Sequence, residues 1–180
     1  DFILPALHAH AVYEGDYLLA TALGRPLIAK HLVRIAHLEK ASYVAHGCTG
    51  KGNDQVRLEV GVRSLNPSLA IIAPLREWEF TSREEEIKYA RDHNIAIGVT
   101  KKSPYSIDRN IWGAAIEAGI VETPWTETPE DGYVLTKGKV PNREKYIVVE
   151  FFKGVPVALN GKHMRFETII ETVNKLAGPF

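Results

Sequence analysis

The chain has 180 residues, 45% of them apolar and 24% charged, which is the composition of one medium globular domain or one and a half, with enough apolar residues for a sizeable core. Lys plus Arg and Asp plus Glu both number 22, so the zero net charge removes the broad electrostatic case for binding nucleic acid or an anionic membrane. Cys48 is the only cysteine, which excludes an intrachain disulfide and a cysteine-based zinc site; a reducing, cytoplasmic compartment fits. No apolar run approaches the roughly eighteen residues of a membrane span. The opening Asp1-Phe2-Ile3-Leu4-Pro5 lacks an initiator Met and a basic segment, so no signal peptide is expected, and it reads as a chain entered mid-stream.

Arg25 to Lys40 is the first helix expected, with Pro26 in its first turn and Ile28, Leu32, Ile35 and Ala36 as its apolar stripe. Tyr43 to His46 is a short strand. It ends in a glycine-rich loop, Gly47-Cys48-Thr49-Gly50-Lys51-Gly52, that opens a helix from about Asn53 to Leu65 with Val56, Val60 and Leu65 recurring. Leu69 to Ala73 is a second strand, closed by Pro74. Ser82-Arg83-Glu84-Glu85 is a capping-box pattern that starts a helix running to His93. Ile95 to Val99 is a third strand. Strand, helix, strand, helix, strand predicts a parallel sheet covered by helices, an α/β arrangement.

The pattern changes near residue 100. Ser106 to Ala118 reads as a helix with Ser106 as its cap and Gly119 as its stop. Glu122 to Pro141 reads as a long surface loop. Tyr146 to Phe152 and Val155 to Leu159 are paired strands around Lys153-Gly154, and Asn160-Gly161 is a second hairpin turn. Phe166 to Ala177 is an amphipathic helix with Ile169, Ile170, Val173 and Leu176 on one face, stopped by Gly178-Pro179. Two domains follow, residues 1–100 in α/β style and 101–180 in α+β style.

Chemistry concentrates in Gly47 to Arg57. Three glycines in six residues let the backbone approach a ligand, and successive N–H groups there can form an anion-binding nest beside a helix N-terminus. Lys51 adds a mobile cation. The spacing is not that of a Walker A loop, and a tight strand-to-helix connection explains the glycines as well. Asn53 and Arg57 are i and i+4, on one helical face, with Asp54 beside them. An arginine grips a carboxylate bidentately and an aspartate accepts from an ammonium, so these groups can recognise the zwitterionic end of an amino acid. The bland alternative is a cap, a dipole-favoured Asp and a solvated Arg. His8-x-His10 lacks a third ligand, so no metal site is expected. His46 either meets a ligand or packs. Cys48 is better read as loop packing than as a reactive thiol. Tyr13 and Tyr17 either line a pocket or pack.

Four ordered blocks are similar to the argininosuccinate synthase family. They are Y-E-G-D-Y-L-L-A-T-A-L-G-R-P-L-I-A-K at Tyr13 to Lys30, A-H-G-C-T-G-K-G-N-D-Q-V-R at Ala45 to Arg57, I-A-P-L-R-E-W at Ile72 to Trp78, and K-K-S-P-Y-S-I-D-R-N-I-W-G at Lys101 to Gly113. The resemblance covers the whole chain and places it in the middle of a longer protein. It implies the second half of an adenine nucleotide α-hydrolase-like domain, followed by part of an α+β synthetase domain. It implies a ligase that joins citrulline to aspartate while ATP, as substrate and with Mg2+, becomes AMP and pyrophosphate. By the same resemblance Gly47 touches ATP. Thr49, Asn53 and Asp54 hold aspartate. Tyr17, Asn53, Arg57 and Ser106 hold citrulline. No residue is implied as the chemical catalyst.

The family resemblance further implies a homo-oligomer, a tetramer, completed by the remainder of the ligase or a companion chain, with no nucleic acid and no membrane among its partners. The family's S-G-G-x-D-T-S loop, which grips the ATP pyrophosphate, is not among these residues. Ala22 stands where many members have Ser, Ala114-Ala115 stands where members carry a polar pair, and the loop around Gly138 to Asn142 is shortened. The alternative reading is therefore a catalytically silent remnant acting as a binding or scaffolding module.

Overall fold

The computed structural model describes residues 1–50, 52–80, 82–97, 105–136 and 141–180. In chain order the elements are α1 (Ile3–His8), α2 (Ala20–Leu38), β1 (Tyr43–Ala45), α3 (Asn53–Leu65), β2 (Ala70–Ile72), α4 (Arg83–Asp92), β3 (Ser106–Arg109), β4 (Ala114–Glu117), β5 (Val149–Phe152), β6 (Val155–Leu159), β7 (Lys162–His163) and α5 (Phe166–Ala177). Single 3-10 turns at Pro74–Arg76, Gly119–Glu122 and Glu130–Gly132 join them. The chain divides into two compact units: residues 24–103, and residues 1–23 together with 104–180.

In the unit of residues 24–103, β1 and β2 pair in parallel, Tyr43 opposite Ala70 and Ala45 opposite Ile72, with α3 as the crossover. This is the expected α/β motif. Its core is Ala29, Ala36, Val44, Leu58, Val62 and Leu69, with Leu32, Val33 and Ile71 packed against it. The buried helix faces differ from the expected stripes. Ile28 and Ile35 of α2 and Val56, Val60 and Leu65 of α3 are exposed. The helices instead meet through small residues: a Cβ on Gly61 would lie 2.8 Å from the Ala29 Cβ, closer than real side chains approach. Backbone proximity, bought by Ala and Gly, outweighed the larger apolar stripes.

The capping box of α4 forms as expected, with Ser82 Oγ accepting from Glu85 N at 3.3 Å and Glu85 Oε2 accepting from Ser82 N at 3.2 Å. The strand expected over Ile95 to Val99 is not formed at residues 95–97. Asn94 takes a positive φ of 55° and Ile95 N is spent on Ala90 O at 2.8 Å, so the chain is still closing the helix end there. Residues 98 and 99 lie outside the described residues, as do residues 101–104, which open the fourth block of the resemblance.

The other unit contains two sheets. Residues 106–118, expected as one helix, form the antiparallel pair β3–β4, with Ile107 opposite Ile116. Asn110 turns the chain: its Oδ1 accepts from Trp112 N at 2.8 Å and Gly113 N at 3.3 Å, and its backbone N–H reaches Gly113 O. This local side-chain bonding competes with helix, as Asn does at turns. Gly119, expected as a helix stop, begins a 3-10 turn at φ +63°. Over the described part of Glu122 to Pro141 the chain is loop apart from the end of one 3-10 turn at Glu122 and a second at Glu130–Gly132; residues 137–140, three of them in the shortened loop, lie outside the described set.

The second sheet runs β5-β6-β7, antiparallel throughout. Lys153 and Gly154 have φ of 48° and 79°, and Asn160 and Gly161 have 50° and 75°, which is the geometry of two-residue primed turns. Pro156, in the central strand, sits where the register shifts between Glu150 and Phe151, so its missing N–H falls at an irregularity. α5 lays Ile169 and Ile170 inward in the unit where Ala158 and Leu159 are buried.

Candidate functional site

β1 delivers the chain to His46, and the glycine-rich segment turns it into α3. Gly52 occupies the cap position in extended conformation and no side chain caps the helix there. Asn53 is therefore the first helical residue rather than the cap. A larger residue at 52 would have to contend with Thr49 Oγ1, 3.4 Å from where a Cβ would stand. Gln55 ties the loop to the helix, its Nε2 donating to Gly50 O at 2.9 Å while its Oε1 is buried without a partner among the described residues. Lys51, the expected mobile cation, lies outside the described residues.

Asp54 is the electrostatic centre of this mouth. Arg25 Nη2 lies 2.5 Å from Asp54 Oδ2, and Arg57 Nη1 lies 3.5 Å from Oδ1. The Arg25 hydrogen bond holds the Asp54 carboxyl below the usual aspartate range; burial opposes this and the Arg25 and Arg57 charges reinforce it. Asp54 is thus a fixed anion in the first turn, where the helix dipole also favours negative charge. Asn53 and Arg57 are exposed in the same helix, one turn apart. Gly47 and Thr49 are exposed in the loop before it. A fixed carboxylate, an exposed amide and an exposed guanidinium can between them bind an ammonium and a carboxylate.

Beside this mouth, Cys48 N donates to His46 Nδ1 at 3.3 Å, and Glu59 Oε1 faces His46 Nε2 at 3.4 Å and Arg76 Nη1 at 2.8 Å. Burial, followed by the nearby Asp54 charge, raises the Cys48 thiol above its ordinary value, which makes it a protonated packing group.

Tyr17 and Ser106 belong to the other unit. Tyr17 does not pair with Tyr13 along a helix; the two form an antiparallel bridge around Glu14 and Gly15, both at positive φ. The Tyr17 hydroxyl accepts from Thr21 N at 3.1 Å and Ala22 N at 3.4 Å, so it caps α2 and explains why that helix starts at Ala20 instead of Arg25. Ser106 opens strand β3 opposite Glu117 and is exposed, so it caps no helix. His8 Nε2 hydrogen-bonds Gly154 O at 3.0 Å, and no group of three or more His, Cys, Asp or Glu able to hold a metal occurs among the described residues.

Sequence reasoning missed Arg25 as the main partner of Asp54, twenty-nine positions away. It also missed Glu59 and Arg76. No local spacing signals any of these pairs, because the packing of α2 against α3 makes the Arg25 pair and the parallel β1–α3–β2 arrangement makes the other two.

A parallel strand pair whose first strand ends in a glycine-rich loop at a helix N-terminus, with fixed charges at its mouth, defines an α/β protein of the kind whose strand-end loops can hold anionic or zwitterionic groups. Residues 1–96 match the family model described as arginosuccinate synthase N-terminal HUP domain, and residues 105–179 match that of the arginosuccinate synthase C-terminal domain. The chain belongs to the argininosuccinate synthase family, and it carries sequence of that family's HUP domain, of adenine nucleotide α-hydrolase type, followed by sequence of its C-terminal domain. It is 59% identical to the argininosuccinate synthase of Dictyoglomus thermophilum over 181 residues, 100% of this chain and 45% of that protein. It is 56% identical to that of Chlorobium luteolum over 178 residues, 98% of this chain and 44% of that protein. Against that of Symbiobacterium thermophilum identity is 53% over 180 residues, 99% and 45% of the two chains. The chain thus spans less than half the length of these relatives. No helix among the described residues is long and apolar enough to cross a membrane.

Proposed function

We propose that this chain is a working part of a ligase that joins citrulline and aspartate, in arginine biosynthesis. The observation that carries this reading is the mouth of α3, where Arg25 and Arg57 keep Asp54 ionised beside exposed Asn53 and Arg57. The citrulline ureido oxygen attacks the α-phosphorus of ATP, and the bond to pyrophosphate breaks. The aspartate ammonium gives up a proton to solvent, the free amine attacks the ureido carbon of the citrullyl-adenylate, and AMP leaves with the former ureido oxygen.

In this reading Gly47 meets ATP, and Thr49, Asn53 and Asp54 hold aspartate, Asp54 accepting from its ammonium. Tyr17, Asn53, Arg57 and Ser106 hold citrulline. Loop backbone N–H groups and fixed charges supply positioning and charge neutralisation, which is most of what such a transfer needs. Mg2+, bound to the ATP phosphates, would add to that charge neutralisation. Residues 1–100 serve nucleotide handling and 101–180 the synthetase portion. The remainder of the ligase completes the site, in a cytoplasmic homo-oligomer. No specific observation favours a silent scaffold.

The test is pyrophosphate release that requires both citrulline and aspartate, in the complete assembly. Asp54→Ala lowers it by about a hundredfold or more, the scale for losing a preorganised charged contact. Unchanged turnover in a folded Asp54→Ala protein overturns the site.

A further inference from the structure

Three side chains that the proposed chemistry does not use meet where three elements converge. His46 follows β1, Glu59 lies in α3, and Arg76 ends the 3-10 turn after β2. The His46 and Glu59 side chains are 8% and 16% exposed. Burying an imidazole and a carboxylate costs free energy unless each is partnered, and each is. Glu59 Oε1 faces Arg76 Nη1 at 2.8 Å and His46 Nε2 at 3.4 Å. The other ring nitrogen, His46 Nδ1, accepts from Cys48 N at 3.3 Å.

An imidazole accepts at Nδ1 only when its proton sits on Nε2, and the bond made by one nitrogen sets the tautomer at the other. An ionised carboxylate accepts and never donates, so Glu59 selects the Nε2–H form. Arg76 holds Glu59 at that station. Its aliphatic stem also lies along the loop, with Cγ 3.4 Å from where a Gly50 Cβ would stand. The ends of both parallel strands are therefore tied to the helix that follows the loop, through one carboxylate oxygen.

We infer that Glu59 is a positioning residue for the glycine-rich loop: by fixing His46 with its proton on Nε2, it lets the ring hold Cys48 N–H and so sets the backbone of residues 47–50. Glu59 and His46 touch no substrate in this role. The inference rests on the reading of that loop as ligand-binding, since only then does its backbone conformation matter for turnover. The tethering itself is a property of the chain without ligand, and so is its test.

The test uses the full chain with 15N-labelled histidine at about pH 8, where an ordinary imidazole is neutral. His46 is expected to show a pyridine-type Nδ1 and a pyrrole-type Nε2. Glu59→Ala is expected to mix the tautomers and to speed exchange of the Cys48 amide by about tenfold, the equilibrium factor of one net hydrogen bond. Glu59→Gln keeps an acceptor oxygen and is expected to restore most of that protection. A pyrrole-type Nδ1 in the unsubstituted protein overturns the inference. So does unchanged Cys48 exchange in a folded Glu59→Ala variant. If Glu59→Ala does not fold, the tautomer of the unsubstituted protein decides alone. None of these readouts needs substrate, so an Asp54→Ala result that sinks the ligase site leaves this test standing.

Discussion

Residues 149–177 and residues 24–76 each pair strands and pack helical surface beside them, yet they hold together differently. In the first region the turns carry much of the specification: two adjacent positive-φ pairs, Lys153-Gly154 and Asn160-Gly161, set the register of β5, β6 and β7, and α5 buries branched side chains. In the second region the sheet is two short parallel strands, the helix contact is Ala29 against Gly61, and the polar groups gather around one loop. The first is built from contacts near in sequence; the second from contacts its crossover creates. A local rule can be read from a few residues, whereas a charge cluster at a crossover can be read only once the fold exists.

The comparison makes the hairpin region's core the place where a single truncation hurts most. Ile169→Ala in α5 removes a side chain that is 3% exposed and is expected to cost about 2–5 kcal/mol in urea unfolding. A loss below about 1 kcal/mol would mean that α5 does not anchor this core. In the other region the sensitive point should be a glycine. Gly61→Val drives a branched side chain into Ala29, where even a Cβ would sit at 2.8 Å, and about 2–3 kcal/mol is expected from overpacking. Hydrogen exchange should localise the loss to α2 and α3. A neutral Gly61→Val would break the claim that close backbone approach builds that core.

Gly161→Val isolates turn chemistry from packing. A Cβ there meets nothing within 4 Å, so the expected cost of about 1–2 kcal/mol comes from φ +75° alone. Exchange should quicken first at β6 and β7. If stability is unchanged, the turn does not set the register.

What was legible in the sequence follows the same division. The α4 capping box, both two-residue turns and the inward face of α5 are each encoded within a few residues, and each formed. The glycine loop between strand and helix was legible for the same reason. Residues 106–118 misled because Ile107, Ile111, Ala114 and Ala115 fall near helical spacing, while the evidence for pairing, Ile107 opposite Ile116, lies across a turn built by the Asn110 side chain. The start of α2 was missed because its cap is a phenol, Tyr17, three residues upstream of Ala20. In the candidate site Asn53, Asp54 and Arg57 were legible from helical spacing. Arg25 was not, since it lies twenty-nine residues away, across the rest of α2, strand β1 and the glycine-rich loop.

That Arg25–Asp54 pair gives the smallest expected effect and the sharpest check on the second region. The Asp54 carboxyl is held below its ordinary value in the folded chain, chiefly by the Arg25 hydrogen bond. Its stabilisation is therefore fully present above the unfolded value of about 3.9 and is lost as pH falls through the lower folded value. The side chain is 38% exposed, so solvent screens the pair and no more than about 1 kcal/mol is expected near neutrality. The measurement is the difference in unfolding free energy between the unsubstituted chain and Asp54→Asn, followed from pH 7 towards 2 at two salt concentrations. The difference should be flat near neutrality, shrink below about pH 4, and be smaller at high salt. A difference that stays constant through the acid range would mean that Asp54 titrates alike in the folded and unfolded chain. Arg25 would then be a neighbour of the carboxylate without being what keeps it charged.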